Sequence, residues 1–444
     1  MNPKPRMQDS VKTICSGSSF SVTPTNQQPN QIVPFGTTYT WTVSSVSAGL
    51  IGGFSGSGGT IIGTLSNPSD TVETIIYDVI AIGSGVGCGR DTFQITVNVN
   101  PSPRVTFSPS GPQTICSGDT TTTVMITSFT PGATIPWNSI NPLPSGLSGA
   151  LQNGVNVIPS QTLINNTNLS ITLVDSAQAI TGGGFSCPGT KTPYVFVINP
   201  KPKILDTVRA ICSGDTFRVT PANVQPSQIV PNGTTYTWTA GANQLGATNQ
   251  NTPQSTISQT LSNSGSNLTD SVTYTVYADG GCAKDTFLIK VYVSPKPKIL
   301  DTVRTICSGD TLRVTPANVQ PSQIVPVGTT YTWIISAAGN ITGQSGQSTP
   351  QSTISQPLVN NSNVLDSVTY TVYANGGCAK DTFLIKVYVN PKPKILDTVR
   401  TICSGDTFRV TPANVQPSQI VPAGTNYTWV ISTAGNITGQ SGQS

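Results

Sequence analysis

The chain contains no histidine, and Glu73 is its only glutamate. These absences remove most general acid–base chemistry, histidine-based triads and histidine-ligated metals. Charged residues make up 9% of the sequence, against roughly 25% in an average soluble protein. The net charge of +4 is spread thinly, with no Lys/Arg run to form a phosphate-binding stripe, so nucleic-acid binding is not expected. No apolar stretch approaches ~18 residues, which excludes a membrane-spanning helix. Also missing is a charged n-region followed by an apolar core. Met1-Asn2-Pro3-Lys4-Pro5 reads instead as a linker between repeats. The sequence is therefore expected to start at a domain boundary, as a section of a longer secreted protein.

Glycine (42) and proline (35) are abundant. Val, Ile, Thr and Tyr recur in short alternating runs, a composition of β-strands and turns rather than of disorder. One segment dominates. Pro200–Trp238 reappears as Pro295–Trp333, differing only at Ala210/Thr305, Phe217/Leu312 and Asn232/Val327, and again as Pro391–Trp429. Looser copies begin at Asn2 and Asn100. A period of about 96 residues marks an array of small modules. The expected organisation is five repeats: 1–99, 100–198 (divergent), 199–293, 294–389 and 390–444 (truncated). Each complete one is large enough to bury its own core. Ser444 aligns with Ser348, midway through a repeat, so continuation of the chain is expected, in preference to strands donated by a neighbour.

Residues 294–390 predict about seven short strands. A first strand spans Lys298–Ile306, a Ser308-Gly309-Asp310 turn follows, and Thr311–Thr315 is the second. Thr329–Ser336 carries Tyr331 and Trp333, whose alternation is read as placing the two rings on opposite faces. Ser352–Leu358 follows, and then a hairpin of Ser367–Ala374 and Thr382–Val389 across Asn375-Gly376-Gly377. This is the pattern of a β-sandwich with a core Trp on its third strand. Trp41, Trp137, Trp238, Trp333 and Trp429 are the expected core tryptophans, with Trp137 closer to its cysteine than the others.

The cysteines indicate an oxidising compartment. Each complete repeat has one in a CSG motif and one near its end, with no CxxC spacing. Cys15, Cys88, Cys116, Cys187, Cys212, Cys282, Cys307 and Cys378 are expected in disulfides, and Cys403 without a partner. Pairing within repeats gives Cys15–Cys88, Cys116–Cys187, Cys212–Cys282 and Cys307–Cys378. Each bond would close a ~70-residue loop, worth on the order of 4 kcal/mol of chain entropy. Pairing across repeats (Cys88–Cys116 and so on) and free thiols are the alternatives. The within-repeat scheme meets a difficulty, because the two turns lie at opposite ends of an ordinary immunoglobulin topology.

Asp206, Asp215, Asp270, Asp279 and Asp285 are isolated in turns, where a short polar side chain bonds the local backbone. A calcium site needs clustered oxygen ligands, so no metal or other cofactor is expected, and no catalytic residue. The NPKP and SPKP linkers follow the last strand directly. Proline stiffens such joints, which predicts an elongated rod.

The succession PKP, TICSGDTF, TTYTW, YTVYA, GC, DTF and NPKP resembles the PKD-like and immunoglobulin-like repeats of giant bacterial surface proteins exported by the type IX secretion system. The resemblance covers essentially the whole chain. It implies extracellular, non-catalytic β-sandwich modules in an adhesin or filament shaft, supplying reach and mechanical continuity. Self-association into homo-oligomeric fibres is expected. The alternatives are glycan or cell-surface binding through the loops after the Trp strand, and accessory repeats of a secreted hydrolase.

Overall fold

The computed structural model describes residues 3–84, 89–433 and 435–443. The fold is all-β: no helix forms among the described residues, and so none is long and apolar enough to cross a membrane. Every sheet draws its strands from within one sequence repeat. The chain divides into two compact units. The first comprises Met1–Ile204, Pro221–Thr234 and Asp279–Asp285; the second comprises Leu205–Thr220, Thr235–Ala278 and Thr286–Ser444.

In the first unit, repeat 1 packs two sheets face to face. The larger has the order Ser10–Cys15, Arg90–Asn100, Glu73–Ile82, Thr38–Val46, Gly56–Gly58; the smaller has Ser19–Val22, Ile61–Ser66, Ile51–Gly52. Period-2 alternation explains the layering. Along Arg90–Asn100, Phe93, Ile95, Val97 and Val99 are buried while Thr92, Gln94 and Thr96 point outward or lie half-covered. They meet Phe20, Trp41, Leu65 and Tyr77 in one core. Repeat 2 repeats the larger sheet with Gln113–Cys116, Thr192–Asn199, Ile171–Ala177, Pro136–Ser139 and Asn153–Val155. Its facing sheet differs, with the order Val157–Ile158, Val124–Thr127, Thr106–Ser108.

In the second unit, repeats 3 and 4 share one sheet order. For repeat 4 it is Thr302–Cys307, Lys380–Asn390, Asp366–Asn375, Thr330–Ala338, Gln347–Gln351. The first strand therefore starts later than the expected Lys298. Lys298 instead bridges Ile324 in the proline-punctuated connection. The Asp301 carboxylate then accepts a bond from the Leu384 amide at 2.7 Å, docking the chain beside its last strand.

In all complete repeats the strand that ends in the CSG cysteine, here called the leading strand, lies parallel to the last, the closing strand. The hairpin partner of the closing strand runs antiparallel to it, as in repeat 4 from Asp366 opposite Val389 to Asn375 opposite Lys380.

Two expectations need correction. Tyr331 and Trp333 do not occupy opposite faces; both are buried, because residues two apart on a strand share a face. Trp429 is not a core residue. It is 50% exposed, whereas Trp41, Trp137, Trp238 and Trp333 are buried. Among the described residues, 391–443 form only isolated bridges and no sheet packs over Trp429.

Disulfide joints between successive repeats

The parallel leading strand decides where the cysteines go. In repeat 1, Cys15 sits opposite Asn100, the last residue of the closing strand. In repeats 2, 3 and 4, Cys116, Cys212 and Cys307 sit opposite Asn199, Ser294 and Asn390. The CSG cysteine therefore marks the end at which the chain leaves the repeat. In repeats 2, 3 and 4 the second cysteine, Cys187, Cys282 or Cys378, lies in the connection that leads into the closing strand, at the opposite end. In repeat 4 that strand runs Lys380–Asn390, which puts the two turns roughly 33 Å apart at ~3.3 Å per residue. A disulfide needs Cα atoms within about 7 Å.

The bonds consequently run from the CSG cysteines of repeats 1, 2 and 3 to the second cysteine of the next repeat. They are Cys15–Cys187, Cys116–Cys282 and Cys212–Cys378, with Cα–Cα distances of 5.5, 5.7 and 5.6 Å. Neither expected scheme forms. Cys116–Cys187, Cys212–Cys282 and Cys307–Cys378 are replaced, and so is the adjacent alternative Cys187–Cys212. Cys307, expected in a bond, carries an exposed free thiol, as does Cys403. Cys88 lies outside the described residues.

Each CSG turn is fixed by both sheets. The glycine takes positive φ, +88° at Gly118 and +84° at Gly214, which lets the chain reverse after the cysteine. In repeat 3 the Ser213 amide donates to Ser294 O at 2.8 Å, and the Gly214 amide donates to Leu261 O at 2.7 Å. The serine hydroxyl then accepts from a buried asparagine's amide: Asn67 to Ser16, Asn165 to Ser117, Asn263 to Ser213 and Asn360 to Ser308, at 2.8–2.9 Å. That asparagine's side chain donates in turn to the end of the closing strand. Asn360 Nδ2 reaches Val389 O at 2.7 Å and Val364 O at 2.8 Å; Asn165 Nδ2 reaches Ile198 O at 2.8 Å and Leu169 O at 2.7 Å. A fully satisfied buried polar group rigidifies its surroundings, here the loop beside the joint.

That loop receives the next repeat. Gln225 Nε2 donates to Asn168 Oδ1 at 2.7 Å, and Gln416 Nε2 to Asn363 Oδ1 at 2.9 Å. The Val327 amide donates to Asn267 O at 3.2 Å, and the Ala423 amide to Asn363 O at 3.3 Å. At the first joint, Asn100 Nδ2 donates to Phe185 O at 3.1 Å, and Arg104 pairs with Asp70 at 3.5 Å. At the third, Lys296 of the linker pairs with Asp215 at 2.9 Å and lowers the Asp215 pKa.

Other aspartates serve the backbone. Asp285 and Asp381 accept from the Ile204 and Ile299 amides at 2.6 Å. No cluster of potential metal ligands occurs among the described residues. Sequence reasoning missed the buried asparagines and the QPS glutamines. The signal was present: Leu-x-Asn recurs at Asn67, Asn165, Asn263 and Asn360, and QPS recurs at Gln225, Gln320 and Gln416.

A profile of the PKD-like domain matches residues 12–103, 209–297 and 304–393. The chain belongs to the PKD-like domain family. No curated protein matches it. Among solved structures, the human desmocollin-1 ectodomain is similar at 13% identity, covering 89% of this chain and 81% of that one with a TM-score of 0.26. Protocadherin gammaB7 EC3-6 gives 11%, 87%, 100% and 0.31. The I67–I69 I-band fragment of titin gives 12%, 65%, 99% and 0.33.

Proposed function

We propose that this PKD-like array is a non-catalytic structural segment of a secreted, repetitive surface adhesin or filament, of the kind that bacteria export by type IX secretion. Its task is reach and mechanical continuity between parts of a larger protein. The observation that carries this reading is the recurrence of one joint. The same CSG turn, buried asparagine and disulfide tie repeat to repeat three times over. Such bonds persist only in an oxidising compartment. The loops after the Trp strand serve the fold: Trp333 Nε1 donates to Ser345 O at 3.0 Å, and Trp41 Nε1 to Phe54 O at 3.2 Å.

Lateral self-association belongs to the same reading, because outward faces recur once per repeat and low charge does not oppose their packing. Sedimentation of the purified chain tests it, and a strict monomer at high concentration removes that part. An antibody against residues 295–333 should label intact, unpermeabilised producing cells. Labelling only after lysis overturns the extracellular assignment.

A further inference from the structure

The disulfides and the parallel strands together trace two covalent strings through the array. The first starts in the leading strand Ser10–Cys15, crosses to Cys187, and follows the closing strand Thr192–Asn199. It continues into the leading strand Thr207–Cys212, crosses to Cys378, and enters the closing strand Lys380–Asn390. The second begins in Arg90–Asn100, continues into Gln113–Cys116, crosses to Cys282, and follows Lys284–Ser294 into Thr302–Cys307. Each complete repeat gives one strand to each string. Within every repeat those two strands are parallel, hydrogen-bonded neighbours.

We propose that these strings are a load-bearing element: tension on the chain ends runs along extended strands and disulfides, so that the covalent path, and not the packing of any hydrophobic core, limits extension. Between Cys15 and Asn390 the geometry leaves little to stretch. A strand already rises ~3.3 Å per residue, against a limit of ~3.3–3.6 Å for a fully extended chain. The Cys15–Cys187 and Cys212–Cys378 bonds, with sequence separations of 172 and 166 residues, take most of repeats 1 to 4 out of the load path. Unlike an array of independent sandwiches, this one holds its length without depending on any repeat staying folded. The property rests on connectivity and topology, and stands apart from where the protein works.

Single-molecule pulling of the full chain by its two ends tests the proposal. The oxidised wild type should reach its limit at roughly 370 Å, the route through residues 1–15, 187–212 and 378–444 at ~3.5 Å per residue. It should show no steps of several hundred ångströms. Reductant should restore stepwise unfolding of individual repeats. Two double variants each lose one disulfide and separate the strings. Cys212→Ser with Cys378→Ser cuts the first string and should lengthen the limit by roughly 500 Å, as the shortest covalent route grows by about 140 residues. Cys116→Ser with Cys282→Ser leaves the first string whole and should leave the limit unchanged. Long unfolding steps in the oxidised wild type, or equal extension in the two variants, would overturn the proposal.

Discussion

Repeats 2 and 4 solve the same packing problem with different side chains. In repeat 4 the inner strand of the hairpin buries Tyr370, and Leu312 and Ile385 lie in the same core. In repeat 2 the position corresponding to Tyr370 is Asp175, which lies two residues before the partner of the Trp, as Tyr370 does. The aromatic ring is supplied by Tyr194 on the closing strand, which packs on Phe107 and Phe196 with centroids 5.0 and 5.1 Å apart. The family profile passes over this repeat. Its joint residues are nevertheless the same: Ser117, Asn165 and Cys116 make the bonds that Ser213, Asn263 and Cys212 make in repeat 3. The cores tolerate exchange of large side chains, as cores do when volume and patterning are kept. The CSG turn, its asparagine and its disulfide recur, because they must fit the next repeat.

The largest expected effect probes what the two repeats share. Trp137→Ala and Trp333→Ala should each destabilise their own repeat by about 3–5 kcal/mol, despite the displaced position of Trp137 in the sequence. Hydrogen exchange resolved by repeat measures this, and a small loss in repeat 2 alone would break the equivalence. Next come Asn165→Ala and Asn360→Ala. Each strands one buried carbonyl, of Ile198 or Val389, and frees one in the loop, at a cost of about 1–3 kcal/mol, and should raise exchange in the loop facing the next repeat.

The third prediction separates the repeats. Asp175 is buried, one oxygen accepting from Ser139 and the other unpartnered. Burial raises its pKa to about 6. The folded state thus binds a proton that the unfolded state releases at lower pH. Repeat 2 should be most stable below about pH 4 and lose stability as pH rises through about 6, on the order of 2–3 kcal/mol in total. Asp175→Asn, neutral throughout, should abolish that slope and stabilise repeat 2 at pH 7. Repeat 4, with Tyr370 at this position, should show no such slope. Smallest is Asp215→Asn, which removes an exposed pair with Lys296 and should leave the thermal midpoint of the chain essentially unchanged, because solvent screens such pairs.

The sandwich class was legible because strands such as TFLIKVYV alternate with a period that one sheet face can bury. The tryptophan core was legible where two sheets surround it, and failed at Trp429, which is exposed among isolated bridges. The joint was not legible. Cysteine order along a chain says nothing about which end of a sheet each residue occupies. That depends on the leading strand lying parallel to the closing one, a long-range pairing with no local signature. Asn165 and Asn360 left a trace as Leu-x-Asn, but an Asn after a strand reads first as a turn residue.

Peptide mapping of the oxidised chain under non-reducing conditions tests the central claim most directly. The account predicts cross-linked peptides joining Cys15 to Cys187, Cys116 to Cys282 and Cys212 to Cys378. Peptides joining Cys116 to Cys187 and Cys212 to Cys282 would contradict it.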